Sequence, residues 1–153
     1  LANHVIRCRS PGQLLQSNGL GCMGYALPAA AAAQIVHPDR TVVAMLGDGC
    51  ALMTLGELAV MAERALPVVV VVLNDASLSL IKLKQSRMGG AGTADAVDFA
   101  APGFAAIAAG FGAHGVRVDR LDAFAGAFAE AVAARRFTVI EAMVDPAEYW
   151  DQM

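Results

Sequence analysis

The sequence predicts an α/β fold: a three-layer open sandwich in which a mostly parallel sheet carries helices on both faces. Three observations carry this. Short apolar runs alternate with longer Ala-rich or amphipathic segments, the pattern of successive βαβ units that pack their helices back onto a parallel sheet. Val68–Leu73 contains only Val and Leu, with no polar alternation, as expected of a central strand covered on both faces. The joints between segments are short and marked by Gly, Pro or Asp. The length of 153 residues fits one domain, 1–153, with a substantial core.

Each element has its own local reason. After a polar–apolar lead-in, Gln13–Gln16 is expected as a short strand. Tyr25–Val36 reads as an Ala-rich helix with Pro28 in its first turn, where a missing N–H is tolerated. His37-Pro38-Asp39 stops it, and His37 is placed to meet the negative end of the helix dipole. Thr41–Leu46 is a buried strand. Thr54–Arg64 reads as a helix: Thr54 and Glu57 have capping-box spacing, and Leu55, Leu58, Ala59 and Ala62 share a face. Leu66-Pro67 ends it, and the Val68–Leu73 strand follows. Leu78–Gln85 is a short helix with Lys82 and Lys84 on a solvated side. Gly89-Gly90-Ala91-Gly92 is the most flexible stretch, and Arg87–Thr93 is either a plain connection or a lid. Phe104–Ala109 is helical, Ala113–Val118 a strand, Leu121–Arg135 a helix and Phe137–Val144 the last strand.

Composition excludes several classes. A chain 57% hydrophobic and 16% charged fits a buried domain and not a disordered one. A net charge of −3 argues against a nucleic-acid partner, which needs a basic face. No apolar run approaches the ~20 residues of a membrane span. Cys8, Cys22 and Cys50 form no CxxC pair and leave an odd count, which points to a reducing, cytoplasmic compartment without disulfides. The start at Leu1, in a polar segment without a signal peptide, is expected of a domain cut from a longer polypeptide.

Two carboxylates hold the chemistry. Asp48 sits in Gly47-Asp48-Gly49 at the end of one apolar run, and Asp75 follows Asn74 at the end of the next. If those runs are neighbouring parallel strands, both carboxylates emerge at the C-terminal edge of the sheet, where open α/β sheets bind ligands. Paired acidic oxygens there suit Mg2+, which prefers oxygen ligands and often brings a phosphate with it. The glycines flanking Asp48 let backbone N–H groups approach phosphate oxygens. Upstream, Asn18-Gly19-Leu20-Gly21-Cys22-Met23-Gly24 is either a ligand-approaching loop or a plain strand-to-helix turn.

Gly47-Asp48-Gly49, a spacer holding one helix, and then Asn74-Asp75 resembles the signature of thiamine diphosphate enzymes. Together with Gly19-Leu20-Gly21-Cys22-Met23-Gly24, Leu27-Pro28-Ala29-Ala30, Glu57-Leu58, Leu66-Pro67-Val68 and Val139-Ile140-Glu141, nearly the whole chain resembles the C-terminal, diphosphate-binding domain of the acetolactate synthase/pyruvate oxidase/2-oxo acid decarboxylase family. The resemblance implies the thiamine diphosphate-binding fold, with thiamine diphosphate and Mg2+ as cofactors. It implies that Asp48 and Asp75 ligate the metal through side chains and Ser77 through its main-chain carbonyl. It places the diphosphate on the backbone of Gly49, Cys50 and Leu78, with Asn3 and His4 reaching it. The Gly21 carbonyl and Met23 amide, either side of Cys22, would bond the aminopyrimidine, and the Met23 side chain would wedge the cofactor into its bent form. The implied substrate is a small 2-oxo acid, decarboxylated or ligated to an acceptor.

The resemblance also implies what lies elsewhere. Family members take the activating glutamate from a pyrimidine-binding domain of the same or a partner chain. Nothing here matches that domain, so the chain alone is expected to be inactive and to work in a homodimer or homotetramer. Glu57 reads as a helix cap and not as that acid. Two positions depart from the pattern: many relatives carry Asn-Asn where this chain has Asn74-Asp75, and acetohydroxyacid synthases carry a tryptophan at the position of Lys84, with Leu80 and Ile81 facing the acceptor pocket. The second departure favours a related decarboxylase or carboligase. The alternatives are a separate subunit of a two-chain decarboxylase, a regulatory or scaffolding domain that kept the fold, and a nucleotide-binding module. The last lacks both a GxGxxG-then-acid arrangement and a P-loop lysine.

Overall fold

A computed structural model describes residues 6–88, 97–100 and 102–149. The elements run α1 (Ala26–Val36), β1 (Val43–Gly47), α2 (Asp48–Met53), α3 (Glu57–Glu63), β2 (Val69–Asn74), α4 (Ser79–Arg87), α5 (Phe104–Gly110), β3 (His114–Val118), α6 (Leu121–Ala134) and β4 (Thr138–Met143), followed by a 3-10 turn, Pro146–Tyr149. The four strands form one parallel sheet in the order β1-β2-β4-β3. The last strand in sequence therefore lies between β2 and β3.

The sheet is covered on both faces, as the sequence predicts. On one face Leu27 of α1, Ala51 of α2, Leu58 and Met61 of α3 and Phe104 of α5 pack on Val68, Val70, Val72 and Val139. On the other, α6 lays Phe124, Ala131 and Phe128 on Val69, Val71 and Ile140. The alternate residues of β2 thus enter two different cores, which is why its valines show no polar alternation. Beside α5 the packing is tight: a Cβ on Gly115 of β3 would lie 2.0 Å from the Ala105 carbonyl oxygen, so only glycine lets α5 approach there.

Three local expectations are corrected. Gln13–Gln16 forms no strand. The Gln13 side chain accepts the Arg9 and Ser10 amides (2.6 and 3.1 Å), winding the segment into a local turn, and Leu14 and Leu15 stay exposed without a ladder partner. The Thr54–Arg64 helix is shorter, and an unforeseen helix, α2, precedes it directly off β1. The Thr54 capping box does not form, because its hydroxyl donates instead to the Cys50 and Gly24 carbonyls (3.3 and 3.4 Å). Gly89–Gly92 and the tip of the Arg87–Thr93 loop lie outside the described residues.

Candidate functional site

The register Gly47↔Leu73 makes β1 and β2 direct neighbours, so Asp48 and Asp75 leave the sheet at the same edge. Asp48 opens α2 and is only 3% exposed. Its Oδ1 accepts the Gly49 amide at 2.6 Å, and its Oδ2 accepts the amides of Ala76 at 2.8 Å and Asp75 at 3.2 Å. One buried carboxylate therefore ties the two loops together. Burial pushes the Asp48 carboxyl above its ordinary range and the Asp75 charge adds to that, while the three backbone donors pull it down. Among the described residues, no lysine or arginine pairs with either carboxylate.

Asp75 folds its own loop. Its Oδ1 accepts the Ser77 amide at 3.1 Å, an Asx turn, and its Oδ2 accepts the Ser79 hydroxyl at 2.6 Å. Between them Ala76 takes a left-handed φ of 58°, a strain of about 1–3 kcal/mol for a non-glycine residue. Ala76 is held there by donating its amide both to Asp48 and to Asn74 Oδ1, the latter at 3.2 Å.

The far side of this loop is strapped to residues 97–99. Leu78 donates its amide to the Val97 carbonyl at 2.8 Å, and Phe99 donates to the Ala76 carbonyl at 3.1 Å. The Ser77 hydroxyl donates to Asp98 Oδ1 at 2.6 Å, and Lys82 Nζ reaches Asp98 Oδ2 at 2.7 Å. Lys82, then Ser77, holds the Asp98 carboxyl below its ordinary range. Lys82 is thus a latch to a neighbouring loop, unlike the free solvated face expected of it; Lys84 is exposed.

The glycine loop closes the other side. Gly21 and Gly24 have φ of 63° and 81°, and a Cβ on Gly24 would stand 2.5 Å from Thr54 Cγ2. A Cβ on Gly49 would lie 2.5 Å from Leu78 Cδ2 and 3.4 Å from Met23 Cε, so Met23, Gly49 and Leu78 converge at one point. A cavity of about 240 Å3 joins Gly21, Cys22 and Gly24 to Cys50 and to Met45 and Leu46 at the end of β1. A larger groove, about 890 Å3, runs beside α1 and β1 and touches neither Asp48 nor Asp75. Asn3 and His4 lie outside the described residues.

Sequence reasoning missed Ser79, Asp98, the Asn74 side chain and Glu141 as neighbours of this site. Glu141, 1% exposed, accepts the Asn74 side-chain amide at 2.9 Å. The available signal was one glutamate inside an apolar strand, which must find partners when buried.

Comparison with known proteins agrees with this fold. The family described as "Thiamine pyrophosphate enzyme, C-terminal TPP binding domain" matches residues 1–142. A probable acetolactate synthase 2, chloroplastic, of Oryza sativa subsp. japonica is 37% identical over 150 residues, covering 92% of this chain and 23% of that protein. The acetolactate synthase isozyme 2 large subunit of Escherichia coli (strain K12) is 34% identical over 79% of this chain and 22% of its own length. The solved structure of a thiamine diphosphate-dependent 4-hydroxybenzoylformate decarboxylase from Rhodococcus jostii RHA1 aligns over 80% of this chain and 23% of its own, with a TM-score of 0.75 and 32% identity. The chain belongs to the family of C-terminal thiamine diphosphate-binding domains, and it spans under a quarter of the length of these relatives.

Proposed function

We propose that the chain is the Mg2+- and thiamine diphosphate-binding domain of an acetolactate synthase-like enzyme that decarboxylates or ligates 2-oxo acids. The observation that carries this is the convergence of Asp48 and Asp75 on one sheet edge with no cationic side chain paired to either among the described residues. A divalent cation would relieve the mutual repulsion of these carboxylates and the burial of Asp48. No group of three His, Cys, Asp or Glu side chains gathers there among the described residues. That donor set fits a cation completed by the Ser77 carbonyl, cofactor oxygens and water.

In this reading Asp48, Asp75 and Ser77 hold the metal. The Cys50 amide, in the first turn of α2 and without an intrahelical partner by helix geometry, is placed for a diphosphate oxygen, whereas the Gly49 and Leu78 amides expected to share that role are donated to Asp48 Oδ1 and to the Val97 carbonyl and would have to exchange those partners to join it. Gly21, Cys22 and Met23 receive the pyrimidine, with Met23 beneath it, and Asn3 and His4 complete the diphosphate end. When bound, the cofactor supplies a nucleophilic carbon and an electron sink. Exposed Leu80 and Ile81 on α4 are suited to wall an acceptor pocket.

The rest of the assembly follows the same reading. The activating glutamate comes from a pyrimidine-binding domain, the active form is a homodimer or homotetramer, and the isolated chain is inactive. Exposed Val43 and Met45 on β1, with Ile35 and Val36 on α1, support burial against further protein. The three free cysteines support a reducing, cytoplasmic location. No helix of the described residues is long and apolar enough to cross a membrane.

Calorimetric titration with thiamine diphosphate, with and without Mg2+, tests the proposal. Binding that requires Mg2+ and is lost in Asp48→Ala is the expected result. Mg2+-independent binding, or none in a folded chain, would overturn the assignment.

A further inference from the structure

We infer that Glu141 is a positioning residue for the Asp75 loop, acting through the side-chain amide of Asn74. The inference rests on the proposed metal–diphosphate site, since that is what the loop would serve.

Glu141 lies on β4, paired with Val72 of β2 and Arg117 of β3, and its side chain enters the face covered by α5. Among the described residues its side chain makes two hydrogen bonds, and both partners are donors. Oε1 accepts the Asn74 Nδ2 group at 2.9 Å, and Oε2 accepts the Ala105 amide in the first turn of α5 at 3.1 Å. The Arg117 guanidinium stands 4.0 Å from Oε1 and supplies opposite charge. A buried carboxylate with these partners is satisfied, so its presence in the core needs no ligand of its own.

Its consequence lies one residue further on. Asn74 has one donating and one accepting end, and the hydrogen-bond network decides which way it faces. A carboxylate only accepts, so Asn74 must turn its NH2 toward Glu141. Its carbonyl oxygen is then left facing the Ala76 amide, which it accepts at 3.2 Å. That contact and the one from Asp48 hold Ala76 at its left-handed φ, and with it the turn that presents Asp75 and Ser77. A glutamine in place of Glu141 could not do this. It cannot accept from both Asn74 and Ala105, and an Asn74 that flips to accept from it points its own NH2 at the Ala76 donor. Reversing the polarity of the pair restores every bond: an aspartate in place of Asn74 accepts from both the glutamine NH2 and the Ala76 amide, and the glutamine carbonyl accepts Ala105.

The test compares wild type, Glu141→Gln, Asn74→Asp and the double swap. Three readouts are used: amide hydrogen exchange, the melting temperature without ligand, and Mg2+-dependent thiamine diphosphate binding. Glu141→Gln and Asn74→Asp should each speed exchange at Asp75–Ser77 while the central β2 and β4 amides keep their protection. Each should also weaken binding about 10-fold, the scale of outer-shell partners at metal sites. The swap should restore slow exchange and tight binding. Unchanged exchange at Asp75–Ser77 in the single variants overturns the inference. So does binding that falls only in step with melting temperature and is not rescued by the swap. Should Glu141→Gln fail to fold, Asn74→Asp against the swap gives the same decision. If wild type binds no cofactor, the proposed function falls, and exchange still decides the role of Glu141.

Discussion

Asp48 ties both loops of the site together, because it accepts amides from its own helix and from across the β1–β2 boundary. Its raised carboxyl pKa has a definite sign. An acid whose folded pKa lies above its unfolded value contributes stability that is fully present below the unfolded value, 3.8, and is lost as pH rises through the folded one. Metal-free chain should therefore lose that contribution on going from acid toward neutral pH. Asp48→Asn should flatten this part of the pH–stability curve, measured by urea unfolding. With Mg2+ the dependence should invert, since the cation favours the ionised form. Ala76 gives a second residue-scale test: Ala76→Gly should hold or raise the melting temperature, whereas Ala76→Val should lower stability by about 1–3 kcal/mol, because a β-branched residue resists a left-handed φ.

At the scale of elements, helix ends and close approaches decide which substitutions the fold accepts. α3 ends in a Schellman motif: Leu66 N–H bonds the Met61 carbonyl and Ala65 N–H the Ala62 carbonyl, with Ala65 at a φ of 49°. α5 ends the same way, but with Gly112 in the left-handed position. Replacing the exposed Ala65 by glycine should therefore stabilise the chain by about 0.5–1 kcal/mol in chemical denaturation. Gly115→Ala should do the opposite. Its Cβ would meet backbone, not a movable side chain, so α5 must lift from β3 at a cost of about 1–3 kcal/mol or more. That movement would also draw the Ala105 amide from Glu141, so exchange at Ala105 should quicken along with the loss of stability.

For the whole molecule, binding is linked to folding. At ligand concentrations about 100 times Kd, thiamine diphosphate with Mg2+ should stabilise wild type by about 2.7 kcal/mol, an effect that EDTA and Asp48→Ala should both remove. The layered fold and the pair of carboxylates were legible in the sequence for one reason. β1 and β2 are consecutive strands that also lie side by side, so a pattern read along the chain carries over into space. The apolar runs of Val68–Leu73 and Phe137–Val144 likewise announce strands because hydrophobic burial is written locally. What lies far along the chain was not legible. Thr54 has capping-box spacing, but its hydroxyl turns to the Gly24 carbonyl, thirty residues away; the Gln13 turn, made with Arg9 and Ser10, is a local miss of another kind, a side chain competing with the ladder for backbone amides. The insertion of β4 between β2 and β3 brings Glu141 to Asn74, and the bridge at Ser77 brings Asp98 to the Asp75 loop. Residue types and local periodicity thus determined the sheet strands, most of the helices and which carboxylates leave the sheet. Strand order, which depends on how whole layers bury each other, decided which groups hold those carboxylates in place.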